Sequence, residues 1–96
     1  MKASEICETA AGLVGGDRQE THGDKERNHA NIAGLWNAYL AIRREPATPL
    51  TALDVAHMMC LLKLARTQAG AHNDDDYVDG AGYFGVAGEI AGGDIA

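Results

Sequence analysis

An aspartate-rich run near the end of the sequence offers the residue types that bind a divalent cation. Asp74, Asp75 and Asp76 are consecutive, and Asp79 follows one helical turn later. Carboxylates at a helix start are common, because the unpaired N–H groups and the helix dipole favour negative charge there. In a helix, Asp76 and Asp79 are spaced i, i+3, so both can point at one ion. Asp75, Asp76 and Asp79 are therefore candidate Mg²⁺ ligands.

Asp79 is the least easily explained of these carboxylates. At 3.6 residues per turn it shares a helix face with Tyr83, Val86 and Ile90. A carboxylate on an apolar face must be paired, protonated or bound to a metal, because isolated burial is strongly unfavourable. The sequence therefore predicts a cationic partner for Asp79, either a metal ion or a basic side chain.

The preceding helical segment carries two basic residues that suit this role. Lys63 and Arg66 lie on one side of that helix, and Asp54 and His57 lie on the opposite side. The connection to the next helix is short, so the two helices are expected to be antiparallel neighbours. The basic residues then face the aspartates, as an ion pair or as a clamp on phosphate. A solvated edge near the helix C-terminus is the alternative.

Aromatic and histidine side chains add candidates for substrate binding and catalysis. Trp36 and Tyr83 are the candidates for stacking on a base, although Trp36 also suits a core position. His29 lies on the predicted apolar stripe of the second helix, either as a hydrogen-bonded core residue or as a ligand. Asp54 and His29 are the candidates for orienting an attacking water. The sequence has no Cys/His spacing typical of zinc sites and no serine in a nucleophile elbow.

Composition and charge exclude several classes of protein. The chain has 96 residues, of which 46% are hydrophobic, and its formal net charge is −6. This favours one folded domain and disfavours nucleic acid as the partner, because phosphate backbones bind basic surfaces. No apolar run approaches the ~20 residues of a membrane span, and the N-terminus lacks the pattern of a secretory signal. The two cysteines, Cys7 and Cys60, are far apart in sequence and suit a cytoplasmic protein without a disulfide.

Helical periodicity dominates the chain, and no stretch alternates as a strand does. We predict an all-α fold, a four-helix bundle over residues 1–96 with its core at about 20–91 and a frayed tail at 92–96. Ser4 is the predicted cap of the first helix, Asp24 of the second, and Thr51 with Asp54 forms a capping box for the third. A polar turn at 17–24 and a proline-containing loop at 44–50 separate the first three helices. The predicted helices are about 5–14 (ending at Gly15-Gly16), 25–43, 52–69 and 74–91.

The last helix contains glycines at positions 80, 82, 85 and 88. Each lowers helix propensity by up to ~1 kcal/mol relative to alanine. Glycines are tolerated where another backbone packs closely, so we expect a helix–helix or subunit contact along this helix. Together with the large apolar fraction of a short chain, this predicts a homo-oligomer, either a dimer or a tetramer.

Four segments in a fixed order are the most specific part of the sequence. They are Thr21-His22-Gly23-Asp24; Asn28-His29 with Leu35-Trp36; Leu53-Asp54-Val55-Ala56 with Leu62-Lys63-Leu64-Ala65-Arg66; and Asp75-Asp76-Tyr77-Val78-Asp79 with Ala81-Gly82-Tyr83. As a set, over residues 20–90, they resemble a family of small uncharacterised phage and prophage proteins. That resemblance implies a location in the host cytoplasm and carries no assigned activity.

The basic helix followed by the aspartate-rich helix also resembles the MazG-like all-α nucleotide pyrophosphohydrolases. This resemblance implies an oligomer that binds Mg²⁺ with carboxylates on adjacent helices. Asp76-x-x-Asp79 stands for one carboxylate pair of that family, whereas its Glu-x-x-Glu pair is absent from this sequence. Mg²⁺ at the aspartates would bind a triphosphate, and Lys63 and Arg66 would neutralise developing charge as water released pyrophosphate.

Three functions are therefore carried forward as hypotheses. The first is a nucleoside triphosphate pyrophosphohydrolase. The second is a non-catalytic protein that sequesters a nucleotide-derived signal in counter-defence, which the missing Glu-x-x-Glu pair favours. The third is an acidic inhibitor of a host protein, in which the aspartates form a solvated electrostatic patch.

Overall fold

The computed structural model describes residues 1–15 and 24–93. Its helices are α1 (Ala3–Gly15), α2 (Lys25–Ile42), α3 (Ala52–Arg66) and α4 (Asp74–Gly92). Because these described ranges contain no strand, the all-α prediction is confirmed. The predicted boundary at Gly16, the turn that follows it at 17–23 and the tail at 94–96 lie outside the described residues.

Side-chain caps begin α2 and α3 where the sequence predicted them. Asp24 Oδ1 accepts a hydrogen bond from the Arg27 backbone N–H at 2.9 Å. Thr51 and Asp54 form the reciprocal capping box of α3. At α1 the prediction is wrong, because Ser4 lies inside the helix rather than at its cap. The starts of α2 and α3 were therefore predicted correctly from short side chains that can bond backbone N–H groups.

The end of α3 differs from the prediction for a physical reason. The helix ends at Arg66, but the backbone N–H groups of the next three residues each bond the carbonyl three positions earlier. This is a 3₁₀-type turn, which tightens a helix end. Gly70 then adopts a positive φ of 65°. The predicted end near Ala69-Gly70 thus marks the end of this turn rather than of the α-helix.

The central helix is α3, which packs against α2 on one side and α4 on the other. Toward α2, the Trp36 indole N–H donates to the Met58 carbonyl at 2.7 Å, and the Tyr39 hydroxyl reaches Asp54. Later residues of α2 thus meet earlier residues of α3, so the two helices run antiparallel. The ion pairs between α3 and α4 follow the same reversed order. The predicted antiparallel α3–α4 arrangement is confirmed.

The buried core is small and made of small side chains. Among apolar described residues only Ala56, Ala65 and Ala87 are buried, and no large side chain is completely enclosed. All residues at 1–14 are exposed, so the bundle consists of α2, α3 and α4, with α1 outside its core. No helix in the described part of the chain is long and apolar enough to cross a membrane.

The close packing predicted at the glycines of α4 is found within the chain only at Gly80. A Cβ added there would lie 3.5 Å from Lys63 Cβ. At Gly82, Gly85 and Gly88 an added Cβ would meet nothing within 4 Å. These three glycines therefore face open space in the single chain, and the other predicted alternative, a subunit contact, stays a prediction.

Candidate functional site

Two clusters of polar side chains lie at opposite ends of α3. The first, here called the Asp54 network, comprises Tyr39, Arg43, Thr51, Asp54 and His57. The second, the α3–α4 ion pairs, comprises Lys63 with Asp79 and Arg66 with Asp76. Asp54 and Arg66 are separated by twelve positions along the helix, or roughly 18 Å. The structure therefore does not bring the predicted catalytic Asp54 together with the predicted phosphate-binding cations.

The Asp54 carboxylate is buried and accepts hydrogen bonds from four donors. The Tyr39 hydroxyl donates to Oδ1 at 2.6 Å, and Arg43 Nη1 donates to Oδ2 at 2.6 Å. The Thr51 backbone N–H and hydroxyl donate to Oδ2 at 2.8 and 3.0 Å. Because these bonds occupy both oxygens, Asp54 is a structural anchor for α2 and α3, and its predicted role in orienting water stays untested.

Among the described residues, the two titratable groups with perturbed pKa values, Asp54 and Tyr39, belong to this network. The hydrogen bond from Tyr39, supported by the Thr51 N–H, lowers the pKa of Asp54 to about 2. Burial, together with the adjacent Asp54 carboxylate, raises the pKa of Tyr39 to about 12. At neutral pH the network therefore contains a carboxylate and a neutral phenol.

These charge states determine how His57 is hydrogen-bonded. Tyr39 has one hydroxyl proton, which it donates to Asp54, so its oxygen can only accept from the histidine. His57 Nδ1 lies 3.0 Å from that oxygen and therefore carries the proton. In the neutral form of the ring, the lone pair is then on Nε2. Asp54 thus fixes the tautomer of His57 through Tyr39, in the way that a carboxylate orients a catalytic histidine.

Arg43 joins the network to the loop at 44–50. Its Nη2 donates to the carbonyl and hydroxyl oxygens of Thr48 and, at 3.5 Å, to the Pro46 carbonyl. Its Nε is buried without a hydrogen-bond partner among the described residues. One guanidinium therefore holds the loop against the start of α3, since Nη1 is bonded to Asp54 at the same time.

A groove of about 730 Å³ lies beside the network, where the 44–50 loop meets the end of α2, the start of α3 and the end of α4. A space of this size can hold a small organic ligand. The residues that line it are Tyr39, Ile42, Arg43, Arg44, Glu45, Thr48, Thr51, Leu53, Asp54, His57 and Ala91.

A second groove, of about 570 Å³, lies between α2 and α3 away from this chemistry. Its lining contains no ionisable side chain: Ala30, Asn31, Gly34, Leu35, Leu64, Ala65 and Gln68. The first groove is therefore the better candidate for a binding site, because polar groups of fixed orientation give a site its specificity.

At the other end of α3, basic side chains pair with the aspartates of α4. Lys63 Nζ lies 3.1 Å from Asp79 Oδ2, and Arg66 Nε donates to Asp76 Oδ1 at 3.0 Å. The predicted convergence of Lys63 and Arg66 with Asp76 and Asp79 is confirmed, whereas Asp75, predicted to join them, forms no ion pair with a described residue. The prediction that Asp79 occupies the apolar face is wrong, because Asp76 is the buried carboxylate and Asp79 is exposed. Asp79 lies at the edge of the α3–α4 contact, within reach of Lys63.

The predicted Mg²⁺ site stays a prediction. Asp76 and Asp79 each pair one carboxylate oxygen with a basic side chain, so Mg²⁺ bound there would compete with Lys63 and Arg66. Asp75 is exposed, and its backbone N–H bonds the Asn73 side chain. No three His, Cys, Asp or Glu residues within 1–15 and 24–93 are placed to hold a metal ion. The sequence left two possible partners for Asp79, a metal ion or a basic side chain. The structure contains the basic side chain, Lys63.

The remaining candidates occupy separate places. Trp36 is half-buried, and its indole N–H is used by the Met58 carbonyl, as expected of a core residue. Tyr83 is half-buried on the face of α4 that includes Asp76 and Ala87. His29 is exposed, and its Nδ1 donates to the Lys25 carbonyl at 2.7 Å, so its expected burial is wrong.

Sequence reasoning missed Tyr39, Arg43 and His57 as members of a site. Two spacings would have indicated them: Tyr39 on α2 and Arg43 at its C-cap are i, i+4, and Asp54 and His57 are i, i+3 on α3. Each pair lies on one helix face. Recognising that the two faces meet required the antiparallel pairing of α2 with α3.

Comparison with known proteins identifies the family. The model of a domain of unknown function, DUF6378, matches residues 5–91, and the chain belongs to this family. The chain is 42% identical over 81 residues to the Gene 55 protein of Mycobacterium phage L5, covering 84% of this chain and 49% of that protein. It is 32% identical over 88 residues to the Gene 55 protein of Mycobacterium phage D29, covering 92% and 54%.

The predicted likeness to small phage proteins is thus confirmed. The chain spans about half the length of these two curated relatives. No solved structure matches the chain.

Proposed function

We propose that this phage-family domain binds a nucleotide or nucleotide-derived phosphate in the groove beside the Asp54 network, without metal-dependent hydrolysis. One observation carries the proposal: a ligand-sized groove adjoins the His57–Tyr39–Asp54 chain of hydrogen bonds. Sites with perturbed titratable groups next to a concave surface are frequent binding and catalytic sites.

The chemistry of the lining supports a ligand with both an anionic and an aromatic part. Arg44 lines the groove, is exposed and forms no ion pair with any described residue. A free guanidinium binds phosphate through two parallel N–H donors. The rings of Tyr39 and His57 lie edge to face, with centroids 5.5 Å apart, and provide aromatic surface in the same groove.

The α3–α4 ion pairs favour a binding function over hydrolysis. The pyrophosphohydrolase hypothesis requires Asp76 and Asp79 to hold Mg²⁺ and Lys63 and Arg66 to contact phosphate. In the folded chain these four residues neutralise one another. The Glu-x-x-Glu pair expected from the MazG-like resemblance is absent as well. A protein that only sequesters a nucleotide signal needs neither a carboxylate site for Mg²⁺ nor the Glu-x-x-Glu pair.

The proposal is tested by measuring the melting temperature with a panel of linear and cyclic nucleotides, each with and without Mg²⁺. A ligand that binds the folded state raises the melting temperature by mass action. We expect a shift that does not need Mg²⁺, with the nucleotide recovered intact by phosphorus NMR. Release of pyrophosphate would replace this proposal with the hydrolase. A complete absence of shifts would favour the acidic inhibitor of a host protein.

Arg44→Gln locates the site. We expect this variant to weaken nucleotide binding by about ten-fold, because one charge-assisted contact is lost. Arg27→Gln is the matched control, since Arg27 is also exposed but does not line the groove. Equal loss of affinity in both variants would indicate non-specific attraction to positive charge and would contradict the groove assignment.

A further inference from the structure

The His57 ring has one nitrogen that no other group in the described part of the chain uses. Its Nδ1 lies 3.0 Å from the Tyr39 hydroxyl oxygen, whereas Nε2 forms no hydrogen bond with a described residue. Arg43 Nε is the one buried side-chain nitrogen or oxygen that lacks a partner among the described residues, so His57 Nε2 is reached by solvent. His57 is half-buried and lines the groove beside the Asp54 network. Its Nε2 is therefore available to a ligand in that groove.

The Asp54 network gives this nitrogen one hydrogen-bonding role. The Tyr39 hydroxyl donates its proton to Asp54 Oδ1 at 2.6 Å, so the same oxygen accepts from His57 Nδ1. A neutral imidazole with a protonated Nδ1 has its lone pair on Nε2. The partner of Nε2 must then be a donor, because a carbonyl oxygen placed there would oppose one lone pair to another. The groove therefore selects a ligand that carries a donor at this point.

Two aromatic rings lie next to His57 and indicate which part of a ligand meets it. The Tyr39 ring centroid is 5.5 Å from that of His57, and the Phe84 ring centroid is 6.2 Å from it. Phe84 is 64% exposed, so its ring has surface available for stacking. A planar base stacks on such a ring, whereas a sugar hydroxyl gains little from it. An acceptor beside an exposed ring therefore favours a donor that belongs to a base.

We propose that His57 Nε2 accepts a hydrogen bond from the exocyclic amino group of a nucleobase, which makes the preferred ligand an adenine or cytosine nucleotide. This rests on the proposed function, because it requires a nucleotide in the groove. His57 is then the residue that contacts the base, and Tyr39 and Asp54 act through it as positioning residues. Hypoxanthine and uracil carry a carbonyl oxygen in place of that amino group. Their nucleotides lose this hydrogen bond and bring a second acceptor against Nε2.

The first test compares the affinities of nucleotides that differ at this group. Isothermal titration calorimetry measures the adenine nucleotide against the hypoxanthine nucleotide, and the cytosine nucleotide against the uracil nucleotide, at equal phosphate count. In the pair that binds more tightly, we expect the amino-bearing member to bind about ten-fold or more tightly than its counterpart. Binding without this preference would overturn the role of His57 and leave the nucleotide-binding function standing. An absence of binding by all four nucleotides would remove both.

Substitution of His57 tests whether this residue produces the preference. His57→Gln introduces an amide that presents either an oxygen or an NH₂ group, depending on its rotation. We expect its preference for amino-bearing bases to fall to within about three-fold, because either kind of base finds a partner. His72→Gln is the matched control, since His72 is exposed and does not line the groove, and it should keep the wild-type preference. Equal preference in both variants would overturn the proposal, and circular dichroism establishes that each is folded.

Nitrogen NMR tests the tautomer of His57 separately from any ligand. The loss of its signals in His57→Gln assigns this ring among the four histidines. We expect a protonated Nδ1 and an unprotonated Nε2 in the free protein. Tyr39→Phe should lose this single tautomer and the preference for amino-bearing bases together, because the oxygen that accepts from Nδ1 is absent. A proton on Nε2 in the free wild-type protein would overturn the proposal whether or not nucleotides bind.

Discussion

The Arg43–Asp54 pair at the start of α3 and the Lys63–Asp79 pair near its end both join a carboxylate to a basic side chain, but they bury the carboxylate to different degrees. At the start of α3, the side chains of Arg43 and Asp54 are 7% and 10% exposed. At its end, Asp79 is 48% exposed, although Lys63 is 15% exposed. The difference shows that opposite charges on neighbouring helices do not define one kind of interaction. The exposure of the pair to solvent determines how much it contributes to the stability of the fold.

Asp54 and Asp79 also differ in the number of their hydrogen-bond partners. Asp54 accepts hydrogen bonds from Tyr39 on α2, from Arg43 at the end of α2 and from Thr51 at the start of α3. Asp79 has one basic partner, Lys63, in a contact that water and salt can compete with. We therefore expect the groove beside Asp54 to keep its shape without a ligand, as a preorganised site does.

The largest predicted difference follows from removing the cation at each end. Arg43→Met should lower the melting temperature by about 15 °C or more, because it leaves a buried carboxylate without its charge partner. Lys63→Met should lower it by about 5 °C or less, as expected of a partly solvated pair. Thermal unfolding followed by circular dichroism measures both. Equal losses would remove the contrast between the two ends.

Much of this fold was predictable from local sequence signals. The caps at Asp24 and Thr51 are set by residues within one turn, so the starts of α2 and α3 could be read directly. The convergence of Lys63 with Asp79 also followed, because a short connection makes neighbouring helices antiparallel.

The Asp54 network could not be predicted in the same way. Tyr39 and Asp54 are fifteen positions apart, and only the packing of α2 on α3 brings them together. The face of α4 was misjudged because Asp76 and Asp79 are both compatible with the helical period. Their burial depends on the rotation of α4 against α3, which its glycine-rich sequence specifies weakly.

The next predicted effect is the loss of stability in acid. The folded-state pKa of Asp54 is about 2, below its ordinary value of 3.8. A lowered folded pKa means that the stabilisation is present above about pH 4 and is lost as pH falls toward 2. Asp54→Asn should therefore flatten this part of the profile of unfolding free energy against pH. An unchanged acid slope in that variant would contradict a special role for the Asp54 end.

Tyr39 provides the corresponding test in base. Its folded-state pKa of about 12 lies above the ordinary value of 10.0. The neutral phenol is thus favoured in the folded state, so this stabilisation is present below pH 10 and is lost as pH rises through 12. Tyrosinate absorbance should show one of the three tyrosines ionising last. Tyr39→Phe should remove that component, and its persistence would assign it to another tyrosine.

A smaller effect concerns Mg²⁺ at the other end of α3. We expect Mg²⁺ to leave the melting temperature of the wild-type chain nearly unchanged, because Lys63 and Arg66 already pair with the aspartates. Lys63→Met combined with Arg66→Met frees both carboxylates and should create a Mg²⁺-dependent rise. If the wild type itself shows a rise that Asp79→Ala removes, the ion pairs open to admit the metal, and the hydrolase hypothesis regains its site.

The smallest predicted effect is the energy of the Lys63–Asp79 pair itself. A double-mutant cycle with alanine at both positions should give a coupling of roughly 0.2–1 kcal/mol, which declines in molar salt because screening shortens the reach of exposed charges. The Arg66–Asp76 pair is the internal comparison, since Asp76 is only 7% exposed while Asp79 is 48% exposed. We expect the coupling energy of the Arg66–Asp76 pair to be larger than that of Lys63–Asp79 and less sensitive to salt. If the two couplings fall together in salt, burial of one carboxylate is not enough to shield a pair, and the rigidity of the Asp54 end must come from its additional neutral hydrogen bonds.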